Sequence, residues 1–461
     1  MKPDIFLITI DSLRRDHVSL YGQTQGVTPF LDKLAENSTV FTNAYAAGLW
    51  TDPAIVSLYT GLYPSQHRIL AGIDTQLVKR TLADVLSANG YETMMVGTGS
   101  RYISKERSIV RGFNTTIDTF DIKRVHGAKH LLGLDSYRWG ILKALAYNSL
   151  LGPDCRLYYS LNRFKEFLRN RQEGPLFAHV HLWFFNAWYS VPRHKKWPFL
   201  LRQPGFNYRS YLKLRQKVHQ IRKKSVRVAH KYLCDEKFLD KDDLQTIRLL
   251  YAASVNYMDF CLAALFRWAE KEGYRNNTIW IITSDHGEML GEHELLGHNF
   301  SYYQEIIRVP LLIFGPEWIQ PHRVSNLVTH ADIPNAFLKL LEINERLGGE
   351  GECILDPGFL HGRSDRSVFF EDGCPGDIAA TLRTIDPQVD FLKWDFAVKG
   401  VVQNSWKYAM KSNGSDELYN LEEDQGERHN RVAEHARLAQ ELRETIVTQL
   451  GRFDPGNPIG L

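Results

Sequence analysis

Ile5-Phe6-Leu7-Ile8-Thr9-Ile10-Asp11-Ser12-Leu13-Arg14-Arg15-Asp16 opens on an almost wholly apolar run and then switches abruptly to charge. A short run without in/out alternation reads as a strand buried on both faces. Similar runs recur at 93–96, 176–182, 278–283 and 309–314. Helix-like stretches lie between them at 28–36, 81–89 and 244–272, the last closing at Gly273. This alternation predicts an α/β protein built on a large, mostly parallel, doubly wound sheet flanked by helices. In such sheets ligands sit beyond the carboxyl ends of strands, so residues just after the apolar runs are the candidates for function.

Composition excludes several classes outright. With 461 residues, 44% hydrophobic, 24% charged and 12% aromatic, the chain is neither disordered, collagen-like nor a coiled coil. After residue 362 the texture changes to short strand-like runs at 367–371, 396–403 and 406–411, then a charged helix over 431–450. That order predicts a large domain over 1–363 and a small C-terminal α+β antiparallel subdomain over 364–461. No window reaches the roughly 18 apolar residues of a membrane span. Cys155, Cys234, Cys261, Cys353 and Cys374 are odd in number and widely spaced, which fits reduced thiols and a cytoplasmic protein. Oligomeric state is left open.

The net charge, 56 − 53 = +3, hides an asymmetry. The segment 193–234 holds thirteen Lys and Arg and no acid, so the remainder carries 3 − 13 = −10. One reading is a solvated insertion. The other is a surface for an anionic polymer or a membrane, since clustered cations among aromatic stems attract phosphate groups. No nucleic-acid recognition motif accompanies the charge.

Two acids follow apolar runs. Asp11 ends the first, and Asp285-His286 ends the run at 278–283, on a turn that Gly287 permits. Oxygen and imidazole ligands converging at strand ends make a divalent-cation site, while each acid taken singly would serve as a helix N-cap. Thr51-Asp52-Pro53 opens an apolar helix. There a hydroxyl beside a metal becomes a nucleophile; otherwise Thr51 or Asp52 caps the helix.

Taken together, the chain resembles the sulfatase branch of the alkaline-phosphatase superfamily from Met1 to about Leu450. The resemblance rests on Asp11-Ser12-Leu13-Arg14-Arg15-Asp16 with Tyr21-Gly22, and on Thr51-Asp52-Pro53 running to Ser57-Leu58-Tyr59-Thr60-Gly61-Leu62-Tyr63-Pro64. It extends through Ser284-Asp285-His286-Gly287-Glu288, Glu292-His293, Gly297-His298, Arg308-Val309-Pro310-Leu311 and Glu417-Leu418-Tyr419-Asn420-Leu421. It implies metal-assisted hydrolysis or transfer of phosphate or sulfate esters. Where these sulfatases carry the Cys or Ser that becomes formylglycine, Thr51 stands, and Ile55 replaces the following Arg. Threonine cannot form that aldehyde. Threonine nucleophiles instead mark phosphodiesterase and phosphoethanolamine-transferase relatives.

The resemblance further implies one divalent cation on Asp11, Asp285, His286 and Thr51, because Phe184 and Asn186 replace ligands of a second metal. Ser12 stands for a second acid of many sulfatases, so zinc or manganese is favoured and calcium is possible. His298 aligns with a catalytic or substrate-binding position, and Thr98, Asn186 and His293 are further substrate-binding candidates. The leading expectation is a metal-dependent hydrolase or transferase acting on an anionic phosphoester, a diester before a monoester, through Thr51. One alternative is a sulfatase-like hydrolase working without formylglycine. Another is a catalytically degenerate binding protein of the same fold.

Overall fold

The structure, a computed structural model, describes residues 2–22, 26–69, 80–97, 110–119, 156–182, 191–222, 228–348, 351–362, 365–373, 394 and 396–453. Thr98, Phe184, Asn186, Cys155 and Cys374 lie outside the described residues. Cys234, Cys261 and Cys353 are free thiols.

Fourteen strands are described: β1 (Asp4–Ile10), β2 (Thr39–Tyr45), β3 (Glu92–Gly97), β4 (Thr115–Asp118), β5 (Leu176–Leu182), β6 (Thr278–Ser284), β7 (Met289–Leu290), β8 (Leu296–Gly297), β9 (Arg308–Phe314), β10 (His322–Thr329), β11 (Ser367–Asp372), β12 (Val398–Gln403), β13 (Trp406–Lys411) and β14 (Glu417–Asn420). Eight form the large sheet in the order β10-β2-β9-β6-β1-β5-β3-β4. Only β9 runs against its neighbours, pairing antiparallel with both β2 and β6.

The central strands are buried on both faces, and alternate residues divide between two cores. Phe6, Ile8 and Ile10 of β1 join Trp280 and Ile282 of β6 in one cluster, which the long helix Lys241–Lys271 covers. Ile5 and Leu7 join Ile279 and Ile281 in the other, beneath helices Thr51–Thr60, Leu82–Ala88 and Ile333–Leu340. Each of the isoleucines, Leu7 and Phe6 contributes about 1.5–3 kcal/mol relative to exposure. This two-sided burial is what erased the alternation in the sequence.

The long helix begins three residues before the expected start because Asp240 caps it, accepting from the Asp243 N–H, and it ends before Gly273 at φ 84°. By length and composition it is apolar enough to cross a membrane, which the sequence reading did not foresee. Yet 67% of its most apolar stretch is buried within the fold, as in a core helix. Three strands of the large sheet escaped the sequence reading. β2 carries Thr42 and Asn43 at a register shift, while β4 and β10 are edge strands with too few apolar residues to stand out.

The second sheet is antiparallel, in the order β11-β12-β13-β14, with helix Ala436–Leu450 packed on it through Ala439, Leu442, Ile446 and Leu450. It has four strands where two or three were expected, because Glu417-Leu418-Tyr419-Asn420 is itself a strand. Lys399, 1% exposed, crosses to the helix end and donates to the carbonyls of Leu450, Gly451 and Arg452. The two sheets are stitched where the Glu371 N–H donates to the Ala47 carbonyl at 2.9 Å, four residues before Thr51.

The basic segment forms helices Arg193–Leu200, Tyr208–Arg222 and Val228–Cys234. Lys213 pairs with Asp240 and Lys217 with Asp243 at the start of the long helix. The last of the three helices reaches the loop carrying His298, where Ala229 lies beside Gly297.

Candidate functional site

Strand register builds the site. β1 and β6 are parallel neighbours with Ile10 opposite Ser284, so the residues that follow, Asp11 and Asp285, emerge side by side. Counting by twos from Ile5, Leu7 and Thr9 puts Asp11 on the face that helix Thr51–Thr60 covers; Ile279 and Ile281 do the same for Asp285. β5 lies on the other side of β1 with His181 opposite Thr9, and the His181 Nδ1 is 2.7 Å from the Thr9 hydroxyl.

Neither acid caps a helix. Asp11 enters a turn and Asp285 an irregular bend, and each is fully buried. One oxygen of each carboxylate is satisfied: the Ser12 hydroxyl donates to Asp11 Oδ1 at 2.8 Å, and the Ser12 and His286 N–H groups donate to Asp285 Oδ1 at 3.0 and 2.8 Å. The other oxygens, Asp11 Oδ2 and Asp285 Oδ2, are buried with no hydrogen-bond donor. Burial and the neighbouring Asp285 carboxylate push Asp11 well above the usual carboxylate range. Two buried carboxylates held together in this way want a cation between them.

His286 completes the set. Its Nδ1 is 2.8 Å from the Gly287 carbonyl, which fixes the proton there and turns the Nε2 lone pair inward. Nε2 lies 3.8 Å from Asp11 Oδ1 and 3.5 Å from Asp285 Oδ2. Ligand atoms of Asp11, Asp285 and His286 all fall within 4.8 Å of one another. Gly287 is required: a Cβ there would stand 1.8 Å from the Glu305 carbonyl oxygen. This donor set fits one divalent cation, with two carboxylates and a neutral imidazole.

Thr51 stands at the rim of that set, its Oγ1 3.3 Å from His286 Nε2. The helix it opens takes Trp50 as N-cap with no side-chain capping bond, so Thr51 and Asp52 are not spent on that role. Gly48 lets the preceding loop close onto the helix, since a Cβ would meet Pro53 Cβ at 2.6 Å.

His298 also joins the site. Its ring centroid is 4.6 Å from that of His286, and its Nδ1 is 3.0 Å from Glu288 Oε2. Burial works against its charge, but Glu288, Asp11 and Asp285 outweigh it and hold the imidazolium pKa up at about 9. His293 goes elsewhere. It takes a left-handed backbone at φ 51° and stacks on Tyr303 with 3.5 Å between centroids, toward Lys407 and Glu417 of the second sheet. The structure therefore brings Asp11, Thr51, Asp285, His286 and His298 together and leaves His293 out.

Sequence reasoning missed contributors from distant segments. Asp372, at the end of β11, bonds to Trp50 and feels the His298 charge, while burial pushes it up to about 7. His330, just after β10, is buried beside Ser284 and Asp285 and is pushed down to about 4 by that burial. The only local signal for Asp372 was its position after the apolar run at 367–371, and His330 had none because β10 itself was not foreseen. Glu288 was legible within the quoted motif but had no partner to assign until His298 folded onto it.

Comparison with known proteins places the fold and the family. The chain is 24% identical over 357 residues to the multifunctional alkaline phosphatase superfamily protein PehA of Trinickia caryophylli, covering 68% of each chain. It is 24% identical over 357 residues to an arylsulfatase of Clostridium perfringens, covering 68% of this chain and 69% of that one. The phosphonate monoester hydrolase of Agrobacterium radiobacter has the same fold, with a TM-score of 0.71 at 21% identity over 97% of this chain and 95% of that chain. The Sulfatase family profile matches residues 3–343, a span that holds the whole Asp11, Thr51, Asp285, His286 and His298 cluster, so the chain belongs to the Sulfatase family of ester-hydrolysing enzymes.

Proposed function

We propose that this enzyme cleaves phosphodiesters through Thr51 as nucleophile, with a single divalent cation held by Asp11, Asp285 and His286. The observation that carries the reading is the Thr51 hydroxyl 3.3 Å from the inward nitrogen of His286, beside two carboxylates with unsatisfied buried oxygens. When bound, the cation supplies positive charge that acidifies the hydroxyl and offsets charge on the transferring group. Zinc or manganese suits the carboxylate–imidazole set better than calcium, which takes more oxygen ligands.

The chain's own residues then do the following. Helix Thr51–Thr60 aims Oγ1 at phosphorus, and its first N–H groups face the non-bridging oxygens. A bond forms from Oγ1 to phosphorus as the ester P–O bond breaks. The departing oxygen takes a proton from the His298 imidazolium, which Glu288 keeps charged at neutral pH. The Thr51 proton passes to bulk water as Oγ1 attacks, and the now neutral His298 regains a proton from bulk water, so the step is balanced in protons. In the second half, water or an acceptor alcohol attacks phosphorus, the Oγ1–P bond breaks, and the proton of the incoming hydroxyl restores Thr51. A diester is favoured because its single negative charge asks less of a site with one cation and one imidazolium.

Protein loaded with zinc or manganese, assayed against p-nitrophenyl phosphate, bis(p-nitrophenyl) phosphate, a phosphonate monoester and an aryl sulfate, is expected to turn over the diester fastest. Faster turnover of the aryl sulfate would overturn the reading in favour of sulfate-ester hydrolysis.

A further inference from the structure

The basic segment carries an observation independent of the ester site. Three of the large hydrophobic side chains most exposed among the described residues lie on it: Leu201 at 70%, Tyr208 at 54% and Leu212 at 38%. Helix Tyr208–Arg222 is anchored inward by Tyr211, Leu214 and Val218, which pack on the core beneath the long helix. An exposed stripe flanking that anchoring face, at spacings of four and three, runs Tyr208, Leu212 and Arg215. Arg202 follows Leu201 at the end of the preceding helix, and Arg209 follows Tyr208. The two helices share one surface: Trp197 of the first touches Tyr208 and Tyr211 of the second, and Lys196 sits near both Arg193 and Arg215.

The charge on this surface is only partly neutralised. The segment has no acid, and Asp240 and Asp243 at the start of the long helix pair with Lys213 and Lys217. Arg202, Arg209 and Arg215 make no ion pair among the described residues. A face of this kind repels its own copy, so self-association through it is disfavoured. A soluble polyanion would use the arginines but gain nothing from exposed leucines. A membrane uses both, because anionic headgroups attract the cations while aliphatic and aromatic tips enter the headgroup–acyl boundary.

We propose that the outer face of residues 193–222 docks the enzyme on an anionic lipid surface, with Leu201, Tyr208 and Leu212 inserted and Arg202, Arg209 and Arg215 on the headgroups. The proposal does not depend on which ester is cleaved.

Sedimentation of the full chain with phosphatidylcholine vesicles containing about 30% phosphatidylglycerol, against phosphatidylcholine alone, tests it. Binding is expected to the anionic vesicles, weakening as salt rises from about 0.1 to 0.5 M. Each arginine is worth on the order of fivefold, so Arg202→Gln/Arg209→Gln/Arg215→Gln should lose about a hundredfold. Leu201→Ser/Leu212→Ser should lose on the order of tenfold on vesicles yet keep wild-type retention on heparin. These positions are exposed, so unchanged melting temperatures are expected for both variants. Absence of binding to anionic vesicles, or wild-type binding by the arginine variant, overturns the proposal. Vesicle binding unaffected by the leucine variant would overturn it in favour of a polyanion partner.

Discussion

Two buried clusters of charge lie on either side of the junction between the sheets, and they are built on opposite plans. At the carboxyl edge of the large sheet, Asp11 and Asp285 face one neutral imidazole and each keeps a buried oxygen without a donor. On the second sheet, fully buried Lys407 is paired with fully buried Glu427 and donates to the Tyr302 carbonyl at 2.7 Å, while Glu427 accepts from the Gln304 N–H at 2.6 Å. Tyr302, Tyr303 and Tyr419 surround the ammonium at 5.3 to 5.9 Å. The second cluster is neutral and closed; the first is anionic and open. Burial alone therefore does not mark a functional site, whereas a buried charge that the protein leaves uncompensated does.

The contrast can be broken experimentally, most severely at the open cluster. Thr51→Ala should lower turnover by at least about a thousandfold while leaving the melting temperature nearly unchanged, because the hydroxyl caps nothing. At the closed cluster, Lys407→Met leaves Glu427 buried and unpaired. It should cost about 3–5 kcal/mol in denaturant unfolding, a loss that no divalent cation restores.

Cation linkage sharpens the same comparison. Zinc or manganese at a hundred times its dissociation constant should stabilise the wild type by about 2.7 kcal/mol. Asp11→Asn should abolish that increment, yet in chelator it should be as stable as the wild type or more so, since it removes one of two repelling carboxylates. A loss of stability in chelator would contradict the open-cluster description.

The smallest effect concerns Glu371, at the seam between the sheets, where burial raises its pKa from 4.5 to about 7. Between those values the folded chain holds a proton that the unfolded chain has released, so this group's contribution to stability falls as pH rises from about 4.5 through 7. Glu371→Gln lacks that dependence. Its melting temperature should gain on the wild type between pH 5 and 8, and a constant difference would refute the shift.

What the sequence made legible follows from how each residue signals. β1, β5 and β6 were visible because two-sided burial makes them continuous apolar runs, and Asp11 and Asp285-His286 were visible as polar residues ending those runs. Thr51 was visible as a helix start, but its freedom from capping duty emerged only once Trp50 took that position. Asp372 and His330 were invisible because they come from strands far along the chain and approach the site only through the pairing of Glu371 with Ala47 and of β10 with β2. His293 misled for the converse reason: five residues from His298, it shares the motif but turns through a left-handed backbone onto Tyr303.

The proposed chemistry rests on Thr51 as the nucleophile beside an Asp–Asp–His cation site. Its most direct test is to acid-quench the cation-loaded enzyme during turnover of a phosphodiester and map the peptides by mass spectrometry. A phosphoryl adduct on Thr51 that is absent from Thr51→Ala is expected. Turnover with no adduct, together with Thr51→Ala retaining activity within about twofold of the wild type, would contradict it.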